Sequence, residues 1–271
     1  MIQAVIFNWD SMIADCRGQK LLQGIMDIFR WKGIEITARQ AETGRGLPIR
    51  EHIAVILRLA DVRARWHEAF GHEPGRPDIE QMYVELLPVL VSLLPSSGEP
   101  FPGMDRALAE LQERSIQCGS TTAFPSDMLR RLRGPAESRH RLVLDSLVSP
   151  CEVQNNGRPY PWMMYENARR LHVYPLTDIL KIGDTAADMQ EGRNAGVWTV
   201  GLVNRQAEAG LSAESDSIPH EESRHHSAQL LRKAGAHMVI DTLSELPWVL
   251  REIEMLQHTG GFPMQAGMIR S

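Results

Sequence analysis

The chain has 271 residues, of which 43% are hydrophobic and 23% are charged, which is an ordinary globular composition. Its net charge of -5 gives no basic excess of the kind that favours nucleic acid or an anionic membrane surface. Cys16, Cys118 and Cys151 are too few and too widely spaced for a disulfide framework, so we expect a cytoplasmic protein. We find no signal-peptide pattern and no apolar segment long enough to span a bilayer, and we expect no membrane partner.

Short apolar runs recur along the chain and predict buried parallel strands. The runs are Ile2–Phe7, Ile116–Thr121, Leu142–Leu144, Ile179–Ile182, Trp198–Leu202 and His237–Ile240. Between them lie helical patterns at Asp105–Arg114, Pro161–Leu171 and Asp188–Ala195. This alternation predicts an α/β fold, a Rossmann-like doubly wound parallel sheet with helices on both faces.

The segment between the first two strands breaks the alternation. It contains only helical patterns, at Leu21–Trp31, Arg50–Leu59 and Ile79–Leu94, separated by glycine-rich turns. We therefore predict a helical cap domain over residues 16–101, inserted into a core domain formed by residues 1–15 and 102–258. Residues 259–271 form a C-terminal tail.

The stretch from Asn204 to Ser227 is polar and contains His225 and His226. These histidines could form a metal site, but no ligand spacing repeats, so a solvated loop is the favoured interpretation.

Polar side chains follow the predicted strands at their carboxyl ends, where doubly wound sheets bind ligands. They are Asn8, Asp10, Thr121, Thr122, Arg158, Asp184 and Asp188. Hydroxyls and a guanidinium suit a phosphate, and carboxylates at the same edge suit Mg²⁺. Each residue alone has a simpler explanation, such as a helix cap at Asp184 or a surface position for Arg158. Their occurrence at successive strand ends predicts a site for a phosphoryl or phosphonyl ligand with Mg²⁺.

Several motifs resemble those of phosphonoacetaldehyde hydrolases in the haloacid dehalogenase superfamily. They are Lys181–Gly201, Gly157–Met163, Gly119–Thr122, Gly46-Leu47 followed by Glu51-His52, and Gly235–His237. The resemblance runs from about residue 2 to residue 255. It implies a Rossmann-like core, a helical cap, Mg²⁺, and hydrolysis of phosphonoacetaldehyde to acetaldehyde and phosphate. It also implies a homodimer packed through cap helices near Leu21–Trp31.

The resemblance implies roles for individual residues. Asp184 and Asp188 would hold Mg²⁺, with Asn8 and Asp10 beside them. Thr122, with its neighbour Thr121, and Arg158 would bind the phosphonyl oxygens. His52 would lie on the cap and face the core.

The chain departs from the family at both covalent positions. Asn8 replaces the nucleophilic aspartate, and a neutral amide is a poor nucleophile. Ile49 replaces the cap lysine that forms a Schiff base, and no lysine lies between residues 33 and 180. The neighbouring Arg50 is a guanidinium and does not form such an imine. Ser11 and Met12 also replace the small Gly-Thr pair of the family.

Asp10 is a change in the opposite direction, because the family has alanine there. In the phosphatase branches of the superfamily this position is an aspartate that acts as general acid and base. Asp10 is also explained by drift after selection on the motif relaxed.

Two hypotheses follow. The chain is a catalytically silent relative that keeps the fold and binds a small phosphonate or phosphate, or it is an altered hydrolase in which Asp10 or Mg²⁺ activates water. In both, C–P bond cleavage through a Schiff base is not expected.

Overall fold

A computed structural model describes residues 1–12, 19–93, 101–140, 144–203 and 220–263. Six parallel strands form one sheet in the order β3-β2-β1-β4-β5-β6. The strands are β1 (Ala4–Asn8), β2 (Gln117–Thr121), β3 (Ser146–Val148), β4 (Ile179–Gly183), β5 (Trp198–Leu202) and β6 (Met238–Ile240). The α/β fold with a doubly wound sheet is confirmed.

The register brings the carboxyl ends of the three central strands level. Asn8 at the end of β1 pairs with Thr121 at the end of β2, and Phe7 pairs with Ile182 of β4. A short helix α1 (Trp9–Met12) follows β1 directly. The polar residues that follow these strands therefore meet at one edge of the sheet.

Helices cover both faces of the sheet because β1 is apolar on both of its sides. Val5 and Phe7 lie in one hydrophobic cluster, and Ala4 and Ile6 lie in another. The core helices are α7 (Met104–Glu113), α8 (Ser126–His140), α9 (Trp162–Leu171), α10 (Ala186–Ala195), α11 (His220–Lys233) and α12 (Leu246–His258).

In the described part of the chain, five further helices follow α1 and precede α7. They are α2 (Gln19–Trp31), α3 (Ala38–Glu42), α4 (Ile49–Leu57), α5 (Ala60–Phe70) and α6 (Arg76–Leu93). Ile25, Ile53 and Leu86, from three of these helices, are fully buried and belong to the larger core cluster. These helices occupy the segment predicted to be the cap, whose domain boundaries stay a prediction. None of the described helices is long and apolar enough to cross a bilayer.

Three local predictions were wrong. The third strand is Ser146–Val148, not Leu142–Leu144, because pairing of Ser146 with Gly119 sets its position; residues 142 and 143 lie outside the described part. Residues 220–227 are helical, whereas the rest of the predicted loop, 204–219, is not described. The helix predicted to end at Leu59 ends at Leu57. The sequence pattern also missed α5, which buries only Val62 and Trp66 and therefore has a weak apolar stripe.

Candidate active site

The strand-end residues form a buried polar cluster. Its first member, Asn8, donates hydrogen bonds through its side-chain NH₂ group. Its Nδ2 lies 3.2 Å from Asp184 Oδ1 and 2.9 Å from Asp188 Oδ2. Its Oδ1 accepts from the Asp10 backbone N–H at 3.1 Å and faces Arg158 Nη2 at 3.4 Å. The amide nitrogen, and not the carbonyl oxygen, is thus directed at the two carboxylates.

Asp10 accepts hydrogen bonds from two groups on the loop directly after β2 and from Arg158. Thr122 Oγ1 donates to Asp10 Oδ1, and the Ala123 N–H donates to Oδ2 at 2.8 Å. Arg158 Nη2 lies 3.3 Å from the same Oδ2. Burial raises the pKa of Asp10, although Arg158 and the two hydrogen bonds partly oppose it. Two of the three residues expected to bind phosphonyl oxygens, Thr122 and Arg158, therefore converge on an internal carboxylate.

Arg158 and Asp188 form a fully buried ion pair, with Nη1 3.2 Å from Oδ1. Burial opposes the charge on Arg158, but Asp188, Asp10 and Glu191 more than offset it and raise its pKa. For Asp188, burial is likewise outweighed by Arg158 and Lys181, so its pKa is lowered. Gly183 makes the arrangement possible, because a Cβ there would overlap the Asp188 side chain.

A second buried network lies beside this pair and was missed by sequence reasoning. Lys181 Nζ lies 2.9 Å from Glu191 Oε2 and 3.2 Å from Asp188 Oδ1, and it donates to Thr121 Oγ1 at 2.6 Å. Thr121 Oγ1 donates in turn to Glu191 at 3.1 Å. The Thr121 hydroxyl is therefore part of this network, and it does not belong to the donors around Asp10. The signal was Lys181, a lysine within an apolar strand pattern, where an unpaired charge is costly.

Asp184 is contacted both from α1 and from the turn between α3 and α4. Ser11 Oγ donates to Asp184 Oδ1 at 2.5 Å, and Arg45 Nη2 donates to Oδ2 at 3.1 Å. Arg45 Nη1 also lies 2.8 Å from Glu42. Sequence reasoning missed Arg45; the only signal was its position between Gly44 and Gly46, in a turn that packs against the core.

His52 and Ile49 both lie on α4 and are buried. His52 Nε2 is 2.6 Å from the Ala41 carbonyl oxygen, so the neutral ring donates a hydrogen bond to that oxygen of α3. Burial is the main cause that lowers the pKa of His52 to about 4. The hydrogen bond of its ring is thus made to α3 and not to the strand-end cluster.

Ile49 lines a small cavity between α4 and the core. The cavity has a volume of about 20 Å³ and is also lined by Pro48, Ala123, Pro150 and Cys151. This is enough for about one water molecule. A ligand with two carbons and a phosphonate does not fit unless the surrounding groups move.

No lysine takes the place of the missing Schiff-base residue. The chain has four lysines. Lys181 is held in the buried network, Lys32 pairs with Glu85 at 2.8 Å, Lys20 is exposed and Lys233 lies at the end of α11.

The oxygen atoms of this cluster are not arranged to coordinate Mg²⁺. Magnesium requires oxygen ligands in near-octahedral geometry. Both oxygens of Asp184 accept from Ser11, Asn8 or Arg45, and Asn8 turns its NH₂ group to the carboxylates. Within the described ranges, no group of three or more His, Cys, Asp or Glu side chains could hold a metal. His225 and His226 on α11 accordingly form no such group with a third described residue.

Comparison with known proteins gives the same family from sequence and structure. The family model of haloacid dehalogenase-like hydrolases matches residues 2–196. The chain is 39% identical to a phosphonoacetaldehyde hydrolase of Bacillus cereus and 37% identical to one of Bacillus cytotoxicus, in each case over 93% of this chain and 97% of the relative.

Among solved structures, a phosphonoacetaldehyde hydrolase-like protein from Oleispira antarctica is similar with a TM-score of 0.86 and 27% identity, over 97% of this chain and 96% of that one. A β-phosphoglucomutase from Clostridium difficile, at 19% identity and a TM-score of 0.69 over 95% of this chain and 100% of that one, shares the fold. The chain therefore belongs to the phosphonoacetaldehyde hydrolase family of haloacid dehalogenase-like hydrolases.

Proposed function

We propose that this chain binds a small phosphonate or phosphate and does not cleave C–P bonds through a Schiff base. The observation that carries the proposal is the convergence of Thr122, the Ala123 N–H and Arg158 on the carboxylate of Asp10. Hydroxyl, backbone N–H and guanidinium groups that point at one anion suit phosphoryl oxygens equally well. A ligand anion would replace the Asp10 carboxylate among these donors.

The absence of covalent chemistry follows from two positions. Asn8 has no carboxylate with which to form an acyl phosphate, and its amide is held by Asp184 and Asp188. Ile49 offers a buried hydrocarbon where an imine-forming amine is needed to give the departing carbon an electron sink. The names of the curated relatives suggest phosphonoacetaldehyde, or a compound close to it, as the ligand.

A second candidate is a phosphatase-type hydrolase, and the raised pKa of Asp10 favours it. A carboxyl group that keeps its proton nearer to neutral pH is a better general acid for a leaving oxygen. In this second candidate function, Mg²⁺ is the cofactor. To bind, the ion would require the Asn8 amide to reverse and Arg45 to leave Asp184.

Phosphate release from phosphonoacetaldehyde and from a panel of small phosphate esters distinguishes the candidates. Wild type, Asp10→Asn, Asn8→Asp and the double variant Asn8→Asp/Ile49→Lys are compared, each with Mg²⁺ and with EDTA. We expect no turnover by wild type, and activity on phosphonoacetaldehyde only in the double variant. Wild-type turnover of an ester that Asp10→Asn abolishes would replace the first candidate with the second.

We also propose that the protein is a homodimer that packs through α2. Trp31 at the end of that helix is 62% exposed and offers apolar area to a partner copy. Sedimentation equilibrium of wild type and Trp31→Glu tests this, and a monomeric wild type would contradict it.

A further inference from the structure

A glycine-rich turn of the cap segment lies directly against the core. The turn connects α3 to α4, and within it Gly46 has φ +85°, a conformation that side chains disfavour. A Cβ at Gly46 would overlap the Thr185 side chain at the start of α10. This close approach brings the preceding residue, Arg45, within reach of Asp184.

The Arg45 guanidinium is fixed between one carboxylate of the cap segment and one of the core. It lies 2.8 Å from Glu42 and 3.1 Å from Asp184, and the side chain of Asp184 is completely buried. A guanidinium stays protonated in proteins, so its positive charge is a permanent part of the site.

The same Asp184 oxygens are the ones that a divalent cation would need. Oδ2 accepts from Arg45, and Oδ1 accepts from Ser11 and Asn8. Asp188, the other expected metal ligand, is paired with Arg158 and Lys181. Competing cations thus reach both carboxylates, and the neutral Asn8 adds no further negative charge to attract an ion.

We infer that Arg45 takes the place of a divalent cation at Asp184, so that this site recognises a phosphoryl or phosphonyl anion without a metal. The inference rests on the proposed anion-binding function. In this arrangement Arg45 is a specificity-determining residue that favours the free anion over its magnesium complex. Because Arg45 belongs to the cap segment and Asp184 to the core, the same contact also holds the two together.

The affinity for Mn²⁺, measured by titration with electron paramagnetic resonance, tests the cation position and does not depend on catalytic activity. Wild type, Arg45→Gln, Arg45→Lys and the control Arg50→Gln are compared; Arg50 also lies on the cap segment but pairs with Glu80 at 2.8 Å. Removing one unit charge a few ångströms from the ion should tighten Mn²⁺ binding on the order of tenfold to a hundredfold. We expect this gain in Arg45→Gln alone. Wild type binding Mn²⁺ as tightly as Arg45→Gln would overturn the inference, whatever the stability of the variant.

Calorimetric titration with inorganic phosphate and with methylphosphonate tests the anion. We expect wild type to bind equally well in EDTA and in Mg²⁺, and Arg45→Gln to bind more weakly in EDTA, by on the order of tenfold. Wild-type binding that requires Mg²⁺ would overturn the inference. If no variant binds either anion, the proposed function fails, whereas the Mn²⁺ titration still decides whether Arg45 occupies the cation position.

Discussion

Replacing Asn8 by aspartate should destabilise the protein, although it restores the family's carboxylate. Asn8 Nδ2 donates to Asp188 at 2.9 Å and to Asp184 at 3.2 Å, and the residue is only 2% exposed. Asn8→Asp replaces these two charge-assisted hydrogen bonds with repulsion between carboxylates in a buried site. The new carboxyl group escapes part of the repulsion by keeping its proton, which raises its pKa above the unfolded value of about 3.9.

The magnitude follows from that pKa. A rise of roughly two to three units, at about 1.4 kcal/mol each, lowers the unfolding free energy at pH 7.5 by about 3 kcal/mol. Since the folded pKa is raised, the deficit is absent below about pH 4 and grows as the pH rises through the folded value. In a chain of this length it should lower the melting temperature by about 6–12 °C.

Thermal unfolding in EDTA at pH 4.5 and pH 7.5, followed by circular dichroism, measures this difference. Asn194→Asp is the matched control, because Asn194 is exposed and donates to a single carbonyl, that of Pro159. Asn8→Asp that is as stable as wild type at pH 7.5 would refute the argument that the Asn8 amide stabilises Asp184 and Asp188 by hydrogen bonding to both.

Three further changes test other parts of the structure. Lys181→Met leaves Glu191 and Asp188 buried with one cation fewer, and it should lower the unfolding free energy by about 3–5 kcal/mol. The control Lys32→Met breaks a partly exposed pair with Glu85 and should lower it by less than about 1 kcal/mol. His52 has a lowered folded pKa, so its contribution of about 3 kcal/mol is present above pH 6.5 and is lost as the pH falls towards 4; His52→Gln should flatten this dependence. Gly46→Ala should cost about 1–3 kcal/mol through its overlap with Thr185.

Each of these has a clear contrary result. Equal losses for Lys181→Met and Lys32→Met in urea unfolding would mean that the buried network contributes no more than a surface pair. An unchanged slope of stability against pH between 4.5 and 6.5 in His52→Gln would mean that another group titrates there. For Gly46→Ala, an unchanged melting temperature would mean that the turn is not held against Thr185.

Local patterns were sufficient to predict the fold and most members of the site. Strands such as Ile179–Gly183 are uniformly buried, so their apolar runs are unambiguous, and the parallel register brings the residues after them together. Asn8, Asp10, Thr122 and Arg158 do lie together, as predicted, although their roles stay predictions.

The missed parts depend on distant pairing. Arg45 contacts Asp184 across 139 positions of sequence, and Lys181 contacts Thr121 across 60. Whether a charged residue of this kind is solvated or buried depends on which partner the fold brings to it, and no periodicity records that. The third strand was misplaced for a similar reason, because its register is set by β2 and not by its own residues.

The small size of the cavity beside Ile49 has a consequence for kinetics. Since this cavity has room for about one water molecule, we expect a phosphonate to enter it only after α4 moves away from Ala123 and Pro150. Association should therefore proceed by selection of a minor open state, and the observed binding rate should level off at high ligand concentration at the rate of opening. Weakening the Arg45–Asp184 contact should raise that plateau.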